Sequence, residues 1–113
     1  MRTHGSLKRR YQRYATDSPV RVKVYLDEYL TSTLVGRCRE VARGGLGAQL
    51  PDQLRVCDSV QVELARAVTA YATVRYVNGF YHGLEFTLVR DQARGYIDKL
   101  CDAHAKELQA VAN

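Results

Sequence analysis

Between Ser18 and Leu88 the chain repeats one device: a short stretch in which apolar and polar residues alternate, then a few turn-forming residues, then another such stretch. Val20, Val22, Val24 and Leu26 alternate with Arg21, Lys23, Tyr25 and Asp27. Successive side chains of a strand point to opposite faces, so this period of two predicts a half-buried strand starting at Ser18. The branched β-carbons of valine suit a pleated surface. Tyr29 to Thr33 reads as a connection, and a less regular second strand runs from Ser32 to Val41. Leu46 to Leu50 forms a short strand before the Pro51-Asp52 turn. Val60, Val62 and Leu64 alternate against Ser59, Gln61 and Glu63, and Thr69 to Val77 is rich in Tyr, Thr and Val. Asn78-Gly79 then favours the positive φ angles of a tight hairpin turn. Phe80 to Leu88 returns antiparallel, with Phe80, His82, Leu84 and Phe86 on one face. About six strands with no helix between them predict an antiparallel barrel or sandwich.

After Leu88 the period changes. Ala93, Tyr96, Ile97, Leu100, Cys101, His104, Leu108 and Val111 recur at intervals of three and four, with charged residues on the opposite side. This predicts an amphipathic helix of about 20 residues, which lids one mouth of a barrel or packs on a partner, the lid being preferred. The chain thus divides into a basic N-terminal arm (1–17), a β body (18–88) and a C-terminal helix (89–113), a single domain at 113 residues.

The charge is unevenly placed. Net charge is +5, and residues 1–14 alone hold Arg2, Lys8, Arg9, Arg10 and Arg13 with no acid, leaving 12 cations against 12 acids in the rest. The body is therefore neutral and the arm cationic. Like charges repel and rarely pack, so the arm is expected to be mobile when empty and ordered by an anion. Arginine suits phosphate, because its planar fork donates two parallel hydrogen bonds and keeps its charge. Arg9 and Arg13 are four residues apart with Arg10 beside them, so on a short turn two guanidiniums can close on one compact polyanion.

Other chemistry is missing from the pattern. No run of about 18 apolar residues appears, so membrane insertion is not expected, and no apolar stretch follows the basic start as in a signal peptide. Cys38, Cys57 and Cys101 are odd in number and form no CxxC pair. That disfavours a disulfide framework and a zinc site, and suits a cytoplasmic setting with buried thiols. His4, His82 and His104 show no metal-ligand spacing, and His104 reads as a core or boundary residue. No nucleophile elbow, phosphate-binding loop or HExxH is present. The chain reads as a binding protein and not an enzyme, with no cofactor or metal expected. Nucleic acid is a weaker reading. Tyr11, Tyr14 and Tyr76 offer stacking beside the basic arm, but as strand or arm packing residues they need no such role.

One stretch holds three glycines in four positions: Glu40-Val41-Ala42-Arg43-Gly44-Gly45-Leu46-Gly47. It must turn sharply or let another group approach the backbone. With Arg9-Arg10-Tyr11-Gln12-Arg13 upstream and Gly83-Leu84-Glu85-Phe86 downstream, the chain resembles the PilZ domain family, small bacterial receptors for cyclic di-GMP. The family pattern is R-x-x-x-R in an N-terminal arm, then [D/N]-x-S-x-x-G at the end of a barrel strand about 25–35 residues on.

The resemblance covers nearly the whole chain. It implies a mainly β fold, a six-stranded antiparallel β-barrel with a flexible basic arm and a C-terminal α-helix. It also implies a cytoplasmic, bacterial signalling protein. Arg9 and Arg13 would grip ligand phosphates and stack on guanine, with Arg10 as a further contact. The segment Glu40, Ala42, Arg43, Gly44 and Gly45 would receive a guanine edge, Gly45 being the glycine whose side chain would block close approach. The ligand, cyclic di-GMP as one molecule or a stacked dimer, would order the arm. An unidentified effector protein would read the composite surface.

Two positions depart from the pattern. Glu40 keeps the carboxylate but moves it one methylene outward, and Ala42 removes a hydroxyl. One hydrogen bond is worth a net ~0.5–1.5 kcal/mol, and arginine contacts to an anion about 1.5–3 kcal/mol each, so weakened binding is expected more readily than none. The alternative is a degenerate domain that no longer binds cyclic di-GMP and acts through protein contacts.

Overall fold

The structure is a computed structural model that describes residues 11–29, 31–66 and 68–112. Six strands follow in order: β1 (Tyr14–Tyr25), β2 (Thr31–Ala42), β3 (Gly45–Gln49), β4 (Ser59–Ala65), β5 (Val68–Asn78) and β6 (Tyr81–Leu88), then helix α1 (Asp91–Ala112). They close into an antiparallel barrel in the order β1-β2-β3-β6-β5-β4, with β1 completing the ring against β4. The β-barrel reading and the terminal helix therefore hold, and the sandwich is ruled out.

Three details differ from the sequence reading. The first strand begins at Tyr14, four residues early, because Tyr14 and Ala15 pair with Val41 and Glu40. Asp17-Ser18-Pro19 has turn chemistry, yet the chain absorbs it as a β-bulge between Ala15 and Ser18. Pro19 directly after the bulge is where a strand tolerates a missing N–H. The alternation of β1 holds for Val20, Val22 and Val24, all buried, but Leu26 lies beyond the strand end and is exposed. Finally, the hairpin after β5 turns on Gly79-Phe80, with Asn78 paired to Tyr81. Gly79 has φ +62°, and Asn78 does not share a positive φ. A positive φ at the first central residue alone is the pattern of a glycine-led type II′ turn, so glycine dictates the geometry and asparagine closes the strand. Phe80 accordingly sits at the turn, exposed, while His82 and Leu84 face inward.

The barrel interior is filled by valines of β1, β4 and β5, with Leu34, Cys38, Leu46, Leu50 and Leu84. Ala48, Ala70 and Ala72 are fully buried and keep the facing walls close. The 50–58 segment stoppers one mouth, with Leu54 packed against the core. His82 anchors it: the Leu54 N–H donates to His82 Nε2 at 3.0 Å, and His82 Nδ1 lies 2.9 Å from the Phe80 carbonyl. Since Nε2 must accept, the proton sits on Nδ1 and is donated to Phe80, which leaves a neutral, fully satisfied buried histidine.

Helix α1 closes the opposite mouth. Ile97 and Cys101 are fully buried with Val41, packed on Tyr14, Leu64, Phe86 and Val89. Burial of the Ile97 side chain is worth about 1.5–3 kcal/mol, the scale that holds the lid in place. No described helix is long and apolar enough to cross a membrane.

Candidate functional site

Strands β2 and β3 join through a two-residue turn, Arg43-Gly44, with Ala42 paired to Gly45. Beside this turn opens a cleft of about 900 Å³. Tyr11 and Arg13 come to it from the chain before β1, and Glu40 to Gly47 from β2, the turn and β3. Arg75 and Tyr76 come from β5, Gly83 to Thr87 from β6, Val89 from the segment after β6, and Arg94 from α1. Of the expected site residues, Arg13, Glu40, Ala42, Arg43, Gly44 and Gly45 thus line one cavity. Arg9 and Arg10 lie outside the described residues.

Four side chains form a hydrogen-bonded cluster at the cleft, with Arg13, Glu40 and Tyr76 in its lining and Tyr81 behind Glu40. Arg13 Nη1 donates to Glu40 Oε1 at 3.0 Å, and the Tyr81 hydroxyl donates to the same oxygen at 2.8 Å. Arg13 Nη1 also reaches the Tyr76 hydroxyl at 3.4 Å, and the two tyrosine rings lie 6.3 Å apart. Burial pushes the Tyr81 phenol above the ordinary tyrosine range and Glu40 pushes it further, so Tyr81 is a neutral donor at physiological pH. Burial works against the Arg13 charge, but Tyr76, Glu40 and Tyr81 outweigh it and hold the guanidinium more firmly protonated than usual.

Glycines make this cluster possible. Gly47 and Gly83 are direct cross-strand partners on β3 and β6. A Cβ on Gly47 would sit 1.8 Å from the Tyr81 hydroxyl oxygen, and one on Gly83 would sit 2.1 Å from the Tyr76 ring. The pair is a bare strip of sheet on which both rings rest. A Cβ on Gly44 would meet the Tyr11 ring at 2.9 Å. Gly45 has a different reason: its Cβ would lie 2.2 Å from the Leu84 carbonyl oxygen, so glycine there admits the β6 backbone. Both readings of the glycine-rich stretch hold: the chain turns sharply at Arg43-Gly44, and the glycines around the turn admit close neighbours.

The remaining cleft cations hold partners at its edge. Arg43 pairs with Asp98 at 3.0 Å and also with Asp102, both on α1. Arg94 Nη1 donates to the Arg43 carbonyl at 2.8 Å and lies 3.3 Å from Asp98. Arg75 pairs with Glu85 across β5 and β6. Four arginines against Glu40 and Glu85 give the lining a positive balance suited to an anion. Among the described residues, no group of three or more His, Cys, Asp or Glu is placed to hold a metal ion. Sequence reasoning had singled out Tyr11 and Tyr76 only as possible stacking groups, and it missed Tyr81, Arg75 and Arg94. The signal for Tyr81 was present in the matched glycines of β3 and β6, but it becomes readable only with the strand register.

Comparisons with known proteins agree on the fold. The family model described as PilZ domain matches residues 7–103. The PilZ domain of CeSA from a cellulose-synthesizing bacterium superposes with a TM-score of 0.61 at 15% identity, covering 79% of this chain and 93% of that one. The PilZ domain of YcgR from Escherichia coli, solved with c-di-GMP, gives a TM-score of 0.60 at 19% identity over 93% and 97% of the two chains. Longer YcgR from Escherichia coli in complex with c-di-GMP gives 0.67 at 19% identity, with 93% of this chain matching 49% of that one. Curated proteins give no sequence match. With the family pattern running from residue 7 of the arm through the whole barrel and into the helix, this chain belongs to the PilZ domain family.

Proposed function

We propose that this protein is a cyclic di-GMP receptor of the bacterial cytoplasm. The ligand draws its arm onto the Glu40–Gly45 face, and a separate effector protein reads the result. The observation that carries this reading is the single cleft lined by both halves of the expected site, Arg13 from the arm side and Glu40 to Gly45 from the β2–β3 turn. Its volume lies within the range of small-molecule sites. The ligand of the structurally similar YcgR domain supports the choice of dinucleotide.

Glu40 does not disarm Arg13. A guanidinium has five N–H donors, and the contacts to Glu40 and Tyr76 both use Nη1. The other donors remain for a phosphate. The Arg13–Glu40 pair is about a third exposed, 31% and 38%. Pairs of this kind are worth about 0–1 kcal/mol, less than the ~1.5–3 kcal/mol of a charge-assisted bond. A phosphodiester therefore competes successfully for the arginine, or shares it.

Titration calorimetry of the purified chain with cyclic di-GMP at physiological salt is the test. Saturable heat is expected, with Arg13→Ala weakening binding about tenfold or more. Absence of heat, or equal affinity in the variant, counts against the reading.

The Arg13–Glu40–Tyr81 closure is also the observation that favours the second reading, a degenerate domain whose motif residues satisfy one another. Glu40→Asp with Ala42→Ser separates the two. Binding that appears only in that double variant identifies the degenerate domain.

A further inference from the structure

Helix α1 touches both halves of the site. Tyr14, next to Arg13, stacks on His104 with ring centroids 6.1 Å apart and planes 15° off parallel. On the other side, Arg43 reaches from the β2–β3 turn to Asp98 and Asp102, and Arg94 returns from the helix to the Arg43 carbonyl. Arg43 and Arg94 both line the cleft, and both lie within ion-pair distance of Asp98.

We propose, resting on the cyclic di-GMP reading above, that Arg43 and Arg94 form a second phosphate grip at the helix end of the cleft, one that ligand draws away from Asp98 and Asp102. A cyclic dinucleotide carries two phosphodiesters on opposite sides of its ring, and a stacked dimer carries four. The arm side serves one edge of such a ligand, and the opposite edge needs cations of its own. Arg43 and Arg94 are cleft-lining cations contributed by the turn and the helix. Their present partners are weak competitors: the Asp98 side chain is 39% exposed and that of Asp102 60%. Ion pairs so exposed hold little energy, whereas a phosphate accepts from both arginines at once.

The consequence is a readout. Once Arg43 turns to the ligand, the helix keeps its apolar contacts through Ile97 and Cys101 but loses its charged clasp to the β2–β3 turn. The segment around Asp98 and Asp102 loosens, and occupancy of the cleft is reported at α1, the element exposed to an effector.

Three measurements on the full chain test this. In the parent protein, cyclic di-GMP is expected to speed amide hydrogen exchange in α1 near Asp98 to Asp102. Asp98→Asn with Asp102→Asn frees both arginines and is expected to tighten cyclic di-GMP binding several-fold, a change in a direction that misfolding does not mimic. Arg94→Gln is expected to weaken it about tenfold, with the thermal midpoint of each variant checked. If the parent binds but its helix exchange is unchanged, or if either variant binds as the parent does, the second grip is overturned and the receptor reading stands. If the parent does not bind, both fall.

Discussion

At the scale of single residues, the site is built by side chains that are missing as much as by those present. Gly45 and Gly83 are both glycine, yet for different neighbours, and this separates their expected behaviour. The Cβ of Gly45→Ala meets the β6 backbone at Leu84, which cannot move without parting β3 from β6. A loss of about 1–3 kcal/mol is expected in denaturant unfolding, as for other overpacked positions. The Cβ of Gly83→Ala meets the Tyr76 ring. A ring can swing away, so Gly83→Ala should cost less stability but weaken ligand binding by releasing Tyr76 from Arg13. Equal stability losses in the two variants would contradict this distinction. The thiols divide just as clearly. Burial pushes Cys38 up to about 11 and also raises Cys101, while Cys57 is exposed. A thiol-specific reagent at pH 8 should label Cys57 quickly and the other two only on unfolding, read by mass spectrometry of the peptides. Because the Cys38 value is raised on folding, its contribution to stability is present below the ordinary value of 9.0. It is lost as pH climbs from there to about 11.

At the scale of elements, the barrel was legible because alternation is a local signal. Val20, Val22 and Val24, or Val60 and Val62, announce a buried face without reference to any other part of the chain. What was illegible depended on pairing. The bulge that carries β1 back to Tyr14 is fixed by register against β2, and Asp17-Ser18-Pro19 viewed alone reads as a turn. Tyr81 and Tyr76 join the Arg13–Glu40 cluster only because Gly83 stands opposite Gly47. Arg94 belongs to a helix whose rotation about its axis is set by Ile97 and Cys101, and that rotation places Arg94 beside the Arg43 carbonyl. The lid reading of the helix follows from the same two residues. Ile97→Ala should therefore destabilise the domain by about 2–5 kcal/mol, as for other buried isoleucines truncated to alanine. Thermal unfolding by circular dichroism checks it, and an unchanged midpoint would mean that α1 does not rest on the barrel.

At the scale of the whole molecule, the excess charge falls at one end of the sequence, and the cleft takes Tyr11 and Arg13 from that end. Five of the 17 cations fall in residues 1–14, and Arg13 of that set reaches Glu40 on β2. The opposite mouth is stoppered by the 50–58 segment and His82, with no part in the cleft lining. The cleft therefore lies away from the stoppered mouth, and under the proposed receptor reading a ligand should perturb the cleft and leave that mouth unchanged. An isotope-edited nuclear magnetic resonance titration of the full chain with cyclic di-GMP measures this directly. The account predicts saturable shifts in the amides of Tyr11 to Tyr14 and Glu40 to Gly45, with those of Gln53 to Asp58 unmoved. A spectrum unchanged at excess ligand, or shifts confined to the 53–58 segment, would contradict it.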